Sequence, residues 1–223
     1  MLAEAIDRQA NSGISTETGI DVDQLVHDLR GPLSVIVAFA ETLDGASREE
    51  RARYAERLVC NAHRALALLE EFSALHDLRQ GGVELHRGAV DLGDLCRAAV
   101  KNVRQDARGG SEVSCLVAEG GVVLSGDRDL LGMALRAVLR RSLREVAATS
   151  TAALRLRVAR ERGYAVVDLS NSDSSTGFEM DSGDGTELEI LQRVVSLHGG
   201  RVLFDHAASD LIFRLALPVA KLA

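Results

Sequence analysis

From Asp21 to Leu43 the apolar positions fall at Val22, Leu25, Leu29, Leu33, Ile36, Ala40 and Leu43, in steps of 3, 4, 4, 3, 4 and 3. That period predicts an amphipathic helix with one apolar face. Asp-Gly-Ala-Ser at 44–47 breaks it. Ser47 followed by Glu50 is a capping-box signature, so a second helix starts there. Its stripe runs through Tyr54, Leu58, Ala62, Ala65, Leu69, Phe72 and Leu75, and Arg-Gln-Gly-Gly at 79–82 puts glycine where a helix C-terminus favours it. Two helices alone bury little surface, so the hairpin is expected to pair with a second copy as a four-helix bundle. Residues 1–20 are polar, with Ser, Thr, Gly and Asn clustered at 11–19, and read as a loose arm.

After Gly82 the period changes. VELHRGAVDL reads as a short strand and turn, and GDLCRAAVKNVRQDA as a helix. SEVSCLVAEG and VVLSG read as strands, and DRDLLGMALRAVLRRSLREVA as a helix with Leu131, Leu135, Val138, Ser142 and Val146 on one side. Two alternating strands follow around a turn at Arg162 and Gly163. A helix closed by Gly-Gly and two closing strands complete the chain. Helices and strands interleave around a mixed sheet, with no internal repeat. The division is an arm (1–20), a helical hairpin (21–80) and an α/β domain (81–223).

Composition narrows the functional classes. The 223 residues are 46% apolar but only 3% aromatic, without Trp, so the core is built from Leu, Val and Ala. A net charge of −7 argues against a nucleic-acid surface. The longest apolar run, VIVAFA, is far short of a membrane span, and no apolar signal region opens the chain. Cys60, Cys96 and Cys115 are odd in number, widely spaced and without a CxxC, which fits a reducing cytosol and neither a disulfide framework nor a zinc site. The chain reads as cytoplasmic, and no sensor segment is recognisable.

The first helix holds the candidate chemistry. On a helical wheel His27 lies about 160° from the centre of the apolar stripe. Its neighbours there are Asp23, Gly31, Ser34, Ala38 and Glu41. It should therefore face solvent with small residues beside it. Pro32 withholds an N–H from the carbonyl of Asp28, so a kink is expected just past His27. An exposed neutral imidazole is a nucleophile, and the adjacent carboxylate of Asp28 can orient the ring or take its proton. His63, His76, His86, His198 and His206 are assigned structural or surface places.

HDLRGPLS at 27–34 closely resembles the phosphoacceptor box of bacterial sensor histidine kinases. The resemblance extends along the chain. VELHRGAVDLGDLCRAAV is similar to the start of the kinase ATP-binding domain, GDRDLLGMALRAVLRRSL to its Asn-containing helix, and LEILQRVVSLHGG to the helix after its glycine-rich lid. It implies an α+β fold: a two-helix hairpin forming a dimeric four-helix bundle, then an α/β sandwich of the histidine-kinase ATPase type. It also implies that His27 accepts a phosphoryl group, with Asp28 and Arg30 shaping the charge around it.

The departures from the family pattern bear on function. The magnesium-holding Asn position is Arg141, which has five donors and no acceptor for a hard cation. The adenine-reading Asp-x-Gly-x-Gly becomes Asn171, Asp173 and Ser175. The lid keeps Gly183 and Gly185 but carries Glu187 for its last glycine, with Asp184 and Glu189 close by. Carboxylates there repel a triphosphate, and a lost glycine blocks close backbone approach. Gly31, four residues past the histidine, lacks the Thr or Asn side chain that positions water for dephosphorylating a partner. The combination resembles the dimeric, ChpT-type histidine phosphotransferases. That implies receiver domains as partners, no cofactor held by this chain, and magnesium supplied by the receiver. The rival readings are an active kinase with a divergent site and a non-enzymatic pseudokinase adaptor.

Three charged features are read as structural. Arg136, Arg140 and Arg144 form a row read as a solvated face that pairs with Glu or Asp elsewhere, in preference to a patch for an acidic partner. RLRVARER at 155–162 reads as the wet side of an edge strand. Asp181, Asp184, Glu187 and Glu189 read as a solvated loop and not as a metal site.

Overall fold

The computed structural model describes residues 22–106, 113–118, 121–149, 153–171, 185–204 and 211–219. The expected arm, Asp173, Ser175, Asp181, Gly183, Asp184 and His206 lie outside them.

Helices α1 (Val22–Thr42) and α2 (Arg48–Gln80) form the hairpin. Ser47 and Glu50 cap α2 reciprocally, and Gly81 ends it at φ 72°, a left-handed conformation that glycine adopts without penalty. The helix α1 is continuous across Pro32, whose ring is buried. Near the hairpin loop Phe39 and Tyr54 pack with ring centroids 5.1 Å apart.

The second unit starts with β1 (Gly88–Asp91), so the strand expected in VELHRGAVDL occupies only its second half. Then follow α3 (Leu92–Asp106), β2 (Val113–Val117), β3 (Val123–Gly126) and α4 (Arg128–Thr149). The chain continues with β4 (Leu154–Glu161), β5 (Tyr164–Asn171), α5 (Thr186–Leu197), β6 (Arg201–Phe204) and β7 (Leu211–Pro218). Five strands form one sheet in the order β2-β4-β5-β7-β6, and β1 pairs with β3 apart from it. Among the described strands of this sheet only β2 runs parallel to its neighbour, β4. The β4–β5 hairpin turns at Arg162 and Gly163, with φ 48° and 88°. That mirror-image turn matches the twist of the strands it joins.

Alternation sets the sheet's two faces. Leu154, Leu156 and Val158 of β4, Ala165, Val167 and Leu169 of β5, and Phe213, Leu215 and Leu217 of β7 are buried. They share one core with residues of α3, α4 and α5. β4 lies inside the sheet, between β2 and β5, which corrects its expected place at an edge. Arg155 and Arg157 are exposed because they project from the other face. Opposite them on β5 stands Asp168, which accepts from Arg157 Nη2 at 2.6 Å and Arg214 Nε at 2.6 Å. Burial pushes the Asp168 carboxyl up, but the hydrogen bonds from Arg214 and Arg157 outweigh it and hold it below the ordinary carboxylate range. Among the described residues no helix is long and apolar enough to cross a membrane.

Candidate functional site

The wheel argument for His27 holds in three dimensions. Its side chain is 76% exposed, and Asp23, Gly31, Ser34, Ala38 and Glu41 are exposed with it. Nδ1 lies 3.2 Å from Asp28 Oδ1. A proton on Nδ1, shared with that carboxylate, leaves the lone pair on Nε2. Arg30 is exposed one turn on, and a Cβ at Gly31 would meet nothing within 4 Å. The acceptor box therefore presents a ring nitrogen on an open helix face.

The second candidate region lies between α4, α5 and the end of α2. Arg141 is turned inward, its side chain 11% exposed, with Nε donating to Glu145 Oε1 at 2.8 Å. Its guanidinium fills the space that any side chain at Gly185, the residue before α5, would need. Arg144 Nη2 donates to Glu187 Oε1 at 2.6 Å, and Arg140 pairs with the buried Glu71 of α2. Glu189 accepts from Arg79 Nε at 2.9 Å and from Arg193 Nε at 2.7 Å. The Arg79 bond foremost, with Arg193 adding to it, outweighs burial and holds the Glu189 carboxyl below its ordinary range. Glu187 and Glu189 thus stand in the first turn of a helix, where carboxylates suit its positive end, and each meets arginine. Both lie in the helix read from ELEILQRVVSLHGG, and their arginine partners correct the reading that grouped them with Asp181 and Asp184 in a solvated loop. For Arg140 and Arg144 the expected carboxylate partners are present.

This geometry does not fit a magnesium ion. The Arg141 guanidinium pressed on Gly185 has donors only and offers a hard cation no oxygen. Among the described residues no group of three or more His, Cys, Asp or Glu side chains could hold a metal. Asn171, read as the adenine-box aspartate position, is buried at the end of β5.

Another tie joins this domain's ends. Asp127 caps α4, its carboxylate accepting from the backbone N–H of Asp129 and Leu130 at 3.1 Å and of His86 at 2.9 Å. The Asp127 N–H donates to His198 Nε2 at 2.8 Å, while His198 Nδ1 lies 2.7 Å from the Val194 carbonyl. Burial holds the His198 imidazole below its ordinary pKa, in keeping with a neutral ring that donates from Nδ1 and accepts at Nε2. His198 is structural, as read from the sequence.

Residues 22–81 match the family of the His Kinase A (phospho-acceptor) domain. The fold is that of a histidine kinase core. The histidine kinase AdeS of Acinetobacter baumannii is 13% identical, with a TM-score of 0.60 over 87% of this chain and 98% of that one. The histidine kinase ShkA, solved full-length in complex with AMPPNP, is 19% identical, with a TM-score of 0.56 over 92% of this chain and 47% of that one. The catalytic domain of the histidine kinase ThkA is 13% identical, with a TM-score of 0.51 over 61% of this chain and 96% of that one. Among curated proteins none matches the sequence.

The sequence reading brought together His27, Asp28 and Arg30, all exposed within one turn of α1. It did not find the partners of Arg140, Arg144 and Glu189. One signal was available: Glu71, Leu75, Leu78 and Arg79 lie at i, i+4, i+7 and i+8, a single face of α2 with its own chemistry.

Proposed function

We propose that this chain is a dimeric histidine phosphotransferase of a two-component phosphorelay. His27 takes a phosphoryl group from the aspartate of one receiver domain and gives it to another. The observation that carries the reading is the contrast between an exposed, carboxylate-oriented His27 and an inward-turned Arg141 at the magnesium position. The hairpin's match to the phospho-acceptor family supports it.

In the transfer, the Nε2 lone pair attacks phosphorus and forms an N–P bond. The P–O bond to the donor aspartate breaks, and the carboxylate leaves with the electron pair. Asp28 keeps the Nδ1 proton in place and balances the positive charge that develops on the ring. Arg30 steadies the phosphoryl oxygens. The chain supplies a presented imidazole and no metal; the receiver brings its own. Dimerisation rests on apolar side chains that the single hairpin leaves uncovered: Val22, Val26, Leu33 and Val37 of α1, and Val59, Leu66 and Leu69 of α2, are 46–56% exposed.

The test is incubation of the purified protein with γ-labelled ATP and magnesium, then with a phosphorylated receiver domain. The expected result is no label from ATP and acid-labile, base-stable label from the receiver that His27→Ala abolishes. Label from ATP that His27→Ala removes would make the protein a kinase. Absence of label across a panel of receivers would leave the adaptor reading standing in its place.

A further inference from the structure

The last turns of α2 do not behave as part of the hairpin. Leu75 and Leu78 are 2% and 6% exposed and belong to the core of the sheet domain. On the same face, Glu71 pairs with Arg140 of α4 and Arg79 with Glu189 of α5. The Glu71 and Arg140 side chains are 4% and 16% exposed, so that ion pair is withdrawn from solvent and its screening. Arg144 and Glu187 continue the pairing from α4 to α5, and Arg193 closes on Glu189. Three helices are thereby tied by alternating charges around two leucines.

The network occupies the ground between α4 and the start of α5, beside the position where Arg141 rests on Gly185. We infer that it is a permanent latch. It fixes the sheet domain to α2 with the chain's own side chains, independently of any nucleotide. This rests in part on the reading of the cleft as lost to nucleotide. The latch lies near the acceptor. Counting antiparallel from the Phe39–Tyr54 pair puts His27 at about the level of Leu66, and Glu71 about 8 Å further along the axis at 1.5 Å per residue. A latched domain holds one fixed position on α2, about one and a half turns from the level of the histidine.

The attraction between pairs is not local in sequence. Arg79 and Glu189 are 110 residues apart. A domain that swings free of α2 exposes Leu75 and Leu78, both buried in its core, to water, while Glu71 and Arg140 become hydrated. The leucines thus favour the latched arrangement, and the ion pairs fix its register.

Hydrogen exchange on the full chain tests this without a phosphoryl donor. Amides of 71–80 should exchange as slowly as those of β4 and β5, at least tenfold more slowly than those of 50–65, and magnesium-ATP should change neither. Glu71→Gln and Arg79→Gln should each speed exchange at 71–80 at least tenfold with β4 and β5 still protected, and Arg79→Lys should restore part of the loss. Exchange at 71–80 matching 50–65, or unchanged in both glutamine variants, would overturn the latch. Slowing of 71–80 by magnesium-ATP would overturn its independence of nucleotide. A protein that fails to take label from a receiver yet shows slow 71–80 exchange keeps the latch and loses only the relay reading.

Discussion

In the sheet domain Leu139, Leu154, Leu156 and Leu169 are sealed completely from solvent, while on the hairpin Val22, Leu33, Val37, Val59 and Leu66 are about half exposed. Both regions carry a continuous apolar stripe, so sequence hydropathy treats them alike. They differ in whether the chain itself supplies the covering surface. The sheet has helices α3, α4 and α5 against it; among the described residues, α1 and the first half of α2 pack chiefly on each other. A stripe left half-covered marks a surface built for another molecule, and here the natural cover is a second hairpin.

The largest effect should come from charging the hairpin stripe. Leu33→Asp places two carboxylates, one from each copy, in the bundle core, each costing several kcal/mol. Sedimentation should show a monomer whose sheet domain still melts cooperatively. A variant that remains dimeric would remove the contrast between the regions. Leu139→Ala should do the reverse, lowering stability by about 2–5 kcal/mol in denaturant titration because a fully buried side chain leaves a cavity. Its dimer should persist under native conditions.

Acid should separate the regions next. Asp168 and Asp127 both have carboxyls held below the ordinary range: burial pushes each up, and hydrogen bonds from arginine or backbone N–H outweigh it. A depressed carboxyl contributes stability above its unfolded pKa of about 3.9 that is lost as pH falls through the folded value. The sheet domain should therefore weaken below about pH 4, as Asp168 and Asp127 take up protons. Near-ultraviolet circular dichroism against pH would read this, and Asp168→Asn should flatten the profile. The smallest effect belongs to Ser47→Ala, which removes half of the capping box and should cost about 1 kcal/mol, seen as fraying of the first turn of α2.

What was legible follows from range. The helix ends at Ser47 and Gly81, the turn at Arg162–Gly163 and the exposure of His27 depend on neighbours a few residues away, and each was readable. The interior place of β4 was not, because it depends on β2 pairing beside it across the intervening α4. Glu187 and Glu189 looked like a solvated loop because their partners, Arg144 and Arg79, lie 43 and 110 residues away. Leu75 looked like the end of the hairpin's own stripe and in fact serves, with Leu78, the neighbouring core.

Gly31 carries one consequence of its own. Space beside it is open, so the fold would accept a side chain there, and glycine inside a helix costs about 1 kcal/mol against alanine. Steric need does not keep the position bare. On the proposed reading, with no side chain to hold an attacking water, the chain is a poor timer and a good store. How long a charged relay stays charged is then decided by the receivers it meets, and the signal's lifetime belongs to the circuit.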